Sequence, residues 1–199
     1  MTLTYTQHYI QVTREELIIA LRQRITAKRF EHVLRVEQQA LALAEQYGAD
    51  KEAVSIAALM HDYAKDMQLS AMATLATTYW EYPGLSEQNS NILHGFAAAQ
   101  ICRQEYGCCH EGILNAIAGH TIGWYQMDLI AKIVYMADYI EPGRNFPGVE
   151  VARELSAHNL DDAVWFKMQA TLKYLVDERV PLFAGAIDIY NSWTKQEDL

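Results

Sequence analysis

Cysteine is scarce in this chain: three in 199 residues, two of them adjacent at Cys108 and Cys109. So few thiols cannot form an extracellular disulfide framework, which points to the cytoplasm. No stretch approaches the ~20 consecutive apolar residues that cross a bilayer. The opening MTLTYTQHYIQVTREE has neither a basic start nor an apolar signal core. Positive charge is also in short supply. Sixteen Lys and Arg against 25 Asp and Glu leave a net charge of −9. That excludes a broad nucleic-acid or anionic-membrane partner, because nothing would offset phosphate repulsion over a wide face, while a local basic pocket for a small phosphate ligand stays open. Low-complexity linkers, charge blocks, internal repeats and alternating strand segments are all missing. The remaining composition is ordinary for a globular protein, 51% hydrophobic and 21% charged. One all-α domain over 1–199, with its core at about 15–190, is the economical reading.

Apolar residues recur with helical spacing nearly everywhere, and turn signals divide them into about eight to ten helices. TREE at 13–16 is a capping box opening a first helix at 14–25. A second runs from 27 to Tyr47, where Gly48 supplies a stop. Asp50 caps a third, which carries AALMHDYAKDM and continues to about Lys65. Further helices are expected at 70–80, 91–106, 111–121, 127–140, 149–157, 160–179 and 181–194. EYPGLSEQNSN and EPGRNFPG form the definite breaks.

Within these apolar stretches some residues are out of place. His61 and Asp62 stand where a helix entering the core should keep burying methyl groups, at a cost of a few kcal/mol unless something pairs with them. His32 in FEHVLRV, His94 in NILHGFA, His120 in AIAGHTIG and Asp138 in IVYMADYIEP share that setting. His8, His110 and His158 lie instead in polar or turn segments and read as surface or capping residues. Any one core histidine is more often satisfied by its neighbours than bound to a metal. Four on separate helices, with two aspartates, call for an ion to pair them. Imidazole and carboxylate suit Fe, Mn, Zn or Ni, and six groups exceed what one open catalytic ion takes. They fit two ions sharing a carboxylate, or one ion with spare histidines facing a substrate. Lys65, one helical turn past His61, would place a cation beside a bound phosphate.

His32, His61-Asp62 and Asp138, in that order, resemble the H…HD…D signature of the HD-domain metal-dependent phosphohydrolases. HDYAK, ILHG, AGHTIG and VYMADYIEPGR extend the likeness over roughly residues 15–190, to the branch of symmetrical diadenosine tetraphosphate hydrolases of bacteria. The resemblance implies a single helical HD bundle, a two-ion centre with iron as the first candidate, and cleavage of the dinucleotide into two ADP by metal-activated water. It makes His32, His61, Asp62 and Asp138 ligands of the first ion, with Asp62 bridging and catalytic. His94 and His120 would hold the second ion or the phosphates. Lys65 would be a catalytic phosphate contact, and Thr121, Gly123 and Arg144 would bind the nucleotide. The loops 81–91 and 142–148 would form the rims of the cleft, with Trp80, Tyr82, Trp124 or Tyr125 stacking on a base. Helices beyond 160 carry no candidate ligands. Their stripe of Val164, Met168, Leu172 and Leu175 reads as packing, with room for a homodimer contact. Two other readings remain: a non-catalytic metal- and nucleotide-binding sensor, and a dimetal oxygenase on the same fold.

Overall fold

The computed structural model describes residues 3–194, and among these the regular structure is helical. The helices are α1 (Arg14–Arg24), α2 (Ala27–Tyr47), α3 (Lys51–Met60), α4 (Leu69–Tyr79), α5 (Ser90–Glu105), α6 (Glu111–Gly119), α7 (Leu129–Ile140), α8 (Val149–His158), α9 (Leu160–Asp177) and α10 (Ala184–Thr194), with a single 3₁₀ turn at Leu85–Glu87. Ten helices meet the expectation from periodicity, and the punctuation falls where turn chemistry put it. The Thr13–Glu16 box closes α1 at its start. Gly48, with φ at 71°, takes the left-handed turn after α2 that a side chain would resist. Buried apolar residues form one contiguous cluster reaching from Ile10 to Trp193.

Helix α3 is the axis of the bundle. Ala53 through Met60 are all fully buried, so it has no solvent face, as befits a helix apolar all round. Its Ser55 is satisfied by donating to Glu37 Oε1 at 2.5 Å. Helix α2 packs on α3 and α7, and α5 and α6 pack on each other and on α3. These five helices, with the turns that end α3 and α6, carry all the misplaced histidines and aspartates.

One boundary differs from the sequence expectation in a way that matters. The third helix ends at Met60 rather than running on to Lys65. The chain tightens beyond it into i→i+3 bonds, Tyr63 N to Met60 O at 3.0 Å and Lys65 N to Asp62 O at 2.9 Å. Lys65 is therefore not one α-helical turn above His61, and its position depends on this tighter turn. Asp66 ends the segment by accepting from the Thr26 amide at 2.8 Å, which ties it to the entrance of α2.

Candidate metal centre

Four imidazoles and two carboxylates meet where α2, the end of α3, α5, the end of α6 and α7 converge. His61, Asp62, His94 and His120 are buried, while His32 and Asp138 keep a little exposure toward the mouth. Each histidine is pinned at Nδ1. His61 Nδ1 donates to the Ala58 carbonyl at 2.6 Å, His94 to Ser90 at 2.8 Å and His120 to Ile117 at 2.7 Å. All three carbonyls belong to the preceding turn of the same helix, so the helix itself sets the tautomer. His32 Nδ1 donates to Glu141 Oε1 at 3.2 Å. With the proton on Nδ1, all four Nε2 lone pairs point inward, the arrangement of a metal ligand oriented by its second nitrogen.

The inward distances are short. His32 Nε2 lies 3.1 Å from Asp138 Oδ1, and His94 Nε2 lies 3.1 Å from Asp62 Oδ1. The other oxygen of Asp62 faces His61 Nε2 at 3.5 Å and His32 Nε2 at 3.8 Å, so one carboxylate looks both ways. His94 and His120 oppose each other, Nε2 to Nε2, at 2.9 Å. Two lone pairs at that separation repel unless positive charge lies near them. His61 Nε2 is fully buried and has no hydrogen-bond partner among the described residues, a state that costs about 1–3 kcal/mol. Its approach to Asp62 is a charge contact, and with the proton on Nδ1 neither atom can donate. Ligand atoms of His32, His61 and Asp138 lie within 4.8 Å of one another, as do those of His61, Asp62 and His120. The orphaned nitrogen, the facing lone pairs and the mixed donor set fit a divalent metal.

Electrostatics agree. Burial raises the carboxyl pKa of Asp62, but His61 and His94 outweigh it and hold Asp62 well below the usual carboxylate range. Asp138 is held down likewise against burial, by His32, Lys167 and others. Burial pulls His61 down, yet Asp62 and Asp138 lift it above its ordinary value, because the same field draws a proton or a metal to it. His94 and His120 are depressed, chiefly by burial.

A family model described as the HD domain matches residues 29–143. The chain belongs to the HD domain family. Within it, this HD chain is 35% identical over 180 residues to a protein of Bacillus subtilis named "Bis(5'-nucleosyl)-tetraphosphatase, symmetrical", covering 90% of this chain and 97% of that one. The same name belongs to a Staphylococcus aureus relative at 34% identity, with 89% and 92% covered. A crystal structure from Clostridium acetobutylicum, described as a "predicted HD superfamily hydrolase involved in NAD metabolism", superposes with a TM-score of 0.84 at 33% identity, covering 92% of this chain and 97% of that one.

The remaining sequence candidates are placed as follows around the HD centre. Lys65 Nζ donates to Asn91 Oδ1 at 2.9 Å and lies 3.4 Å from His94 Nδ1. Thr121 donates its hydroxyl to His120 Nε2 at 3.1 Å. Arg144 is at the mouth but tied down, Nη2 to Asp138 Oδ1 at 2.5 Å and Nε to the Asp138 carbonyl at 2.8 Å. Gly123 is not part of this cluster. It is a buried turn residue with φ at 84°, where an added Cβ would meet Met168 Cε at 2.7 Å. The aromatic candidates also serve elsewhere. Trp80 packs against Tyr82, Phe96, Trp124 and Phe183 with centroids 4.6 to 6.1 Å apart, so these rings also support one another.

Three residues escaped sequence reasoning. Arg29 Nη1 pairs with Asp62 Oδ2 at 2.5 Å. Glu141 is buried and accepts from His32, from Arg35 Nε at 2.7 Å and from the Gly143 amide at 2.6 Å. Lys167 lies on α9, one of the helices expected to carry no candidate ligand. Burial lowers its pKa to about 7, and it donates to the His120 and Tyr135 carbonyls.

Two openings flank the centre. On the His32 side is an open cleft of about 370 Å³ whose lining includes Lys28, Arg29, Arg35 and Arg144. Beside Thr121 is a largely apolar cavity of about 170 Å³, lined by Asn91, Thr121, Ile92, Met168, Leu172 and Phe183 among others. No helix among the described residues is long and apolar enough to cross a membrane.

Proposed function

We propose that this chain is a metal-dependent symmetrical bis(5'-nucleosyl)-tetraphosphatase that cleaves diadenosine tetraphosphate into two ADP. The observation that carries the reading is the buried, unpartnered His61 Nε2, set among the carboxylates and imidazoles of an HD centre. Full-length relatives carry that activity in their names.

His32, His61, Asp62 and Asp138 would hold one ion, with Asp62 reaching through its second oxygen toward His94 and His120 and a second. Bound there, such ions acidify water toward neutral pH and offset charge on phosphoryl oxygens. Iron is our first candidate, with Mn, Ni and Zn as alternatives that the same donors accept.

The chain's own groups supply binding and orientation. Lys65 has ammonium protons to spare beyond its bond to Asn91 and offers them to phosphate. Arg144 and Arg29 present guanidinium edges suited to bidentate phosphate contact. Against a net charge of −9, this attraction is local, confined to Lys65 and the basic cleft. The apolar cavity past Thr121 would seat one nucleoside. A symmetrical substrate thus meets an asymmetric site, with one nucleoside enclosed and the rest of the polyphosphate lying along Arg29 and Arg144.

Elemental analysis of purified protein, paired with product analysis on a panel of dinucleoside polyphosphates, tests this reading. ADP as the sole product from diadenosine tetraphosphate is expected. If metal-loaded protein left every dinucleotide intact, the proposal would fail. Tight binding without turnover would favour a sensor, and oxygen consumption would favour an oxygenase.

A further inference from the structure

The mechanism above makes no use of Lys167. It sits on α9 within LDDAVWFKMQATL, among the buried Ala163, Val164 and Met168, and only 4% of it is exposed. Among the described residues no carboxylate lies within 4.0 Å of its ammonium. Nζ instead donates to the His120 carbonyl at 3.0 Å and the Tyr135 carbonyl at 2.6 Å, and rests 3.6 Å from the centroid of the Tyr135 ring. A methionine would fill the same space without the cost of burying a charge. Beyond its charge, what the lysine adds is two hydrogen bonds.

Both bonds land on the backbone of the metal centre. His120 is the C-cap of α6, where carbonyls no longer find a donor one turn ahead. Tyr135 is one helical turn before Asp138 on α7. We infer that Lys167 is a positioning residue of the centre, tying the His120 carbonyl to α7 so that His120 Nε2 and the Asp138 carboxylate keep a fixed separation. The inference rests on the reading of this cluster as a metal site.

Lys167→Met tests it. The variant and wild type are stripped with chelator and titrated with Co²⁺ at 25 °C, following visible absorption and calorimetric affinity, with melting curves in parallel. Co²⁺ affinity should fall about tenfold or more, the usual effect of losing an outer partner of a ligand. The Co²⁺ absorption should change, and unfolding should stay cooperative. Affinity and absorption equal to wild type, with only the melting temperature moved, would overturn the proposal and leave Lys167 a packing residue. If the Met variant does not fold, Lys167→Gln, whose amide nitrogen ends one bond short of Nζ and cannot reach both carbonyls, takes its place and should also lose Co²⁺ affinity; wild-type affinity would again refute. The titration contains no nucleotide, so it fails independently of the hydrolase reading, which stands or falls on wild-type turnover.

Discussion

Gly95→Ala sets two ordinary effects against each other. Gly95 lies inside α5, next to His94, and by helix propensity alone an alanine there should stabilise by about 1 kcal/mol. The packing opposes this. An added Cβ would stand 2.7 Å from the Ala118 carbonyl, 3.0 Å from that of Ile117 and 3.1 Å from His120 Nδ1. Two of the three obstacles are backbone, so neither helix can yield by turning a side chain. Reaching ordinary contact at 3.4 Å requires α5 and α6 to separate by roughly 0.7 Å at this crossing. Overpacking of a core costs about 1–3 kcal/mol, and the rigid backbone puts this case at the upper end, leaving about 2 kcal/mol of net destabilisation. For a chain of this length that lowers Tm by about 4–8 °C. The same displacement strikes the Ile117 carbonyl that fixes the His120 tautomer, so metal affinity and turnover should fall alongside stability. Thermal melting of metal-free protein and a metal titration read the two effects separately. A Gly95→Ala protein melting at or above wild type, with unchanged metal affinity, would refute the close approach of α5 and α6 as the device that positions His120.

Asp62→Ala should abolish both metal retention and turnover, checked by elemental analysis and product assay; a variant keeping both removes Asp62 from the site. Glu141→Gln keeps the shape but weakens the acceptor for His32 Nδ1–H and leaves the Arg35 guanidinium without its charge partner, so metal affinity should drop about 10–100-fold, measured by competition with a chelating dye. Folding of the chelated protein should weaken as pH falls below about 6.5. His94 and His120 resist protonation when folded, chiefly through burial, while the unfolded chain takes up their protons near that pH. The raised His61 works the other way but is one group against two. A further loss below about pH 4 follows from the depressed Asp62 and Asp138. Urea midpoints at pH 7.5, 6 and 5 check the upper window, where an increase on acidification would contradict it. Ala186→Phe, projecting into the apolar cavity, should raise KM for dinucleotides several-fold while leaving metal content unchanged, and an unchanged KM would place the nucleoside elsewhere.

The six polar intruders were legible because each breaks a helical apolar pattern whose period is otherwise strict. Periodicity finds a residue that costs free energy where it stands, and His61, Asp62 and His120 are buried deeply enough for that cost to be large. Glu141 and Arg29 gave no such signal, because a Glu after a helix end and an Arg in a first turn are ordinary surface choices. Spacing was nonetheless available: Arg29 precedes His32 by three residues and Glu141 follows Asp138 by three, the interval that brings side chains together on one face. Lys167 was passed over for the opposite reason. A lone lysine in an amphipathic helix is nearly always at the solvent edge with its stem on the core, and nothing local separates that case from one whose ammonium ends on two carbonyls. The end of α3 at Met60 was likewise invisible, since DYAK is as compatible with another helical turn as with the tighter turn adopted. That turn matters for the site, because a regular helix would carry Lys65 along the His61 face. The 3₁₀-like bonds instead bring its ammonium to Asn91 and the His94 ring, on the side where the cavity opens. The proposed phosphate contact would therefore lie between the ligand cluster and the apolar cavity, through a departure from helix geometry that no hydrophobic pattern records.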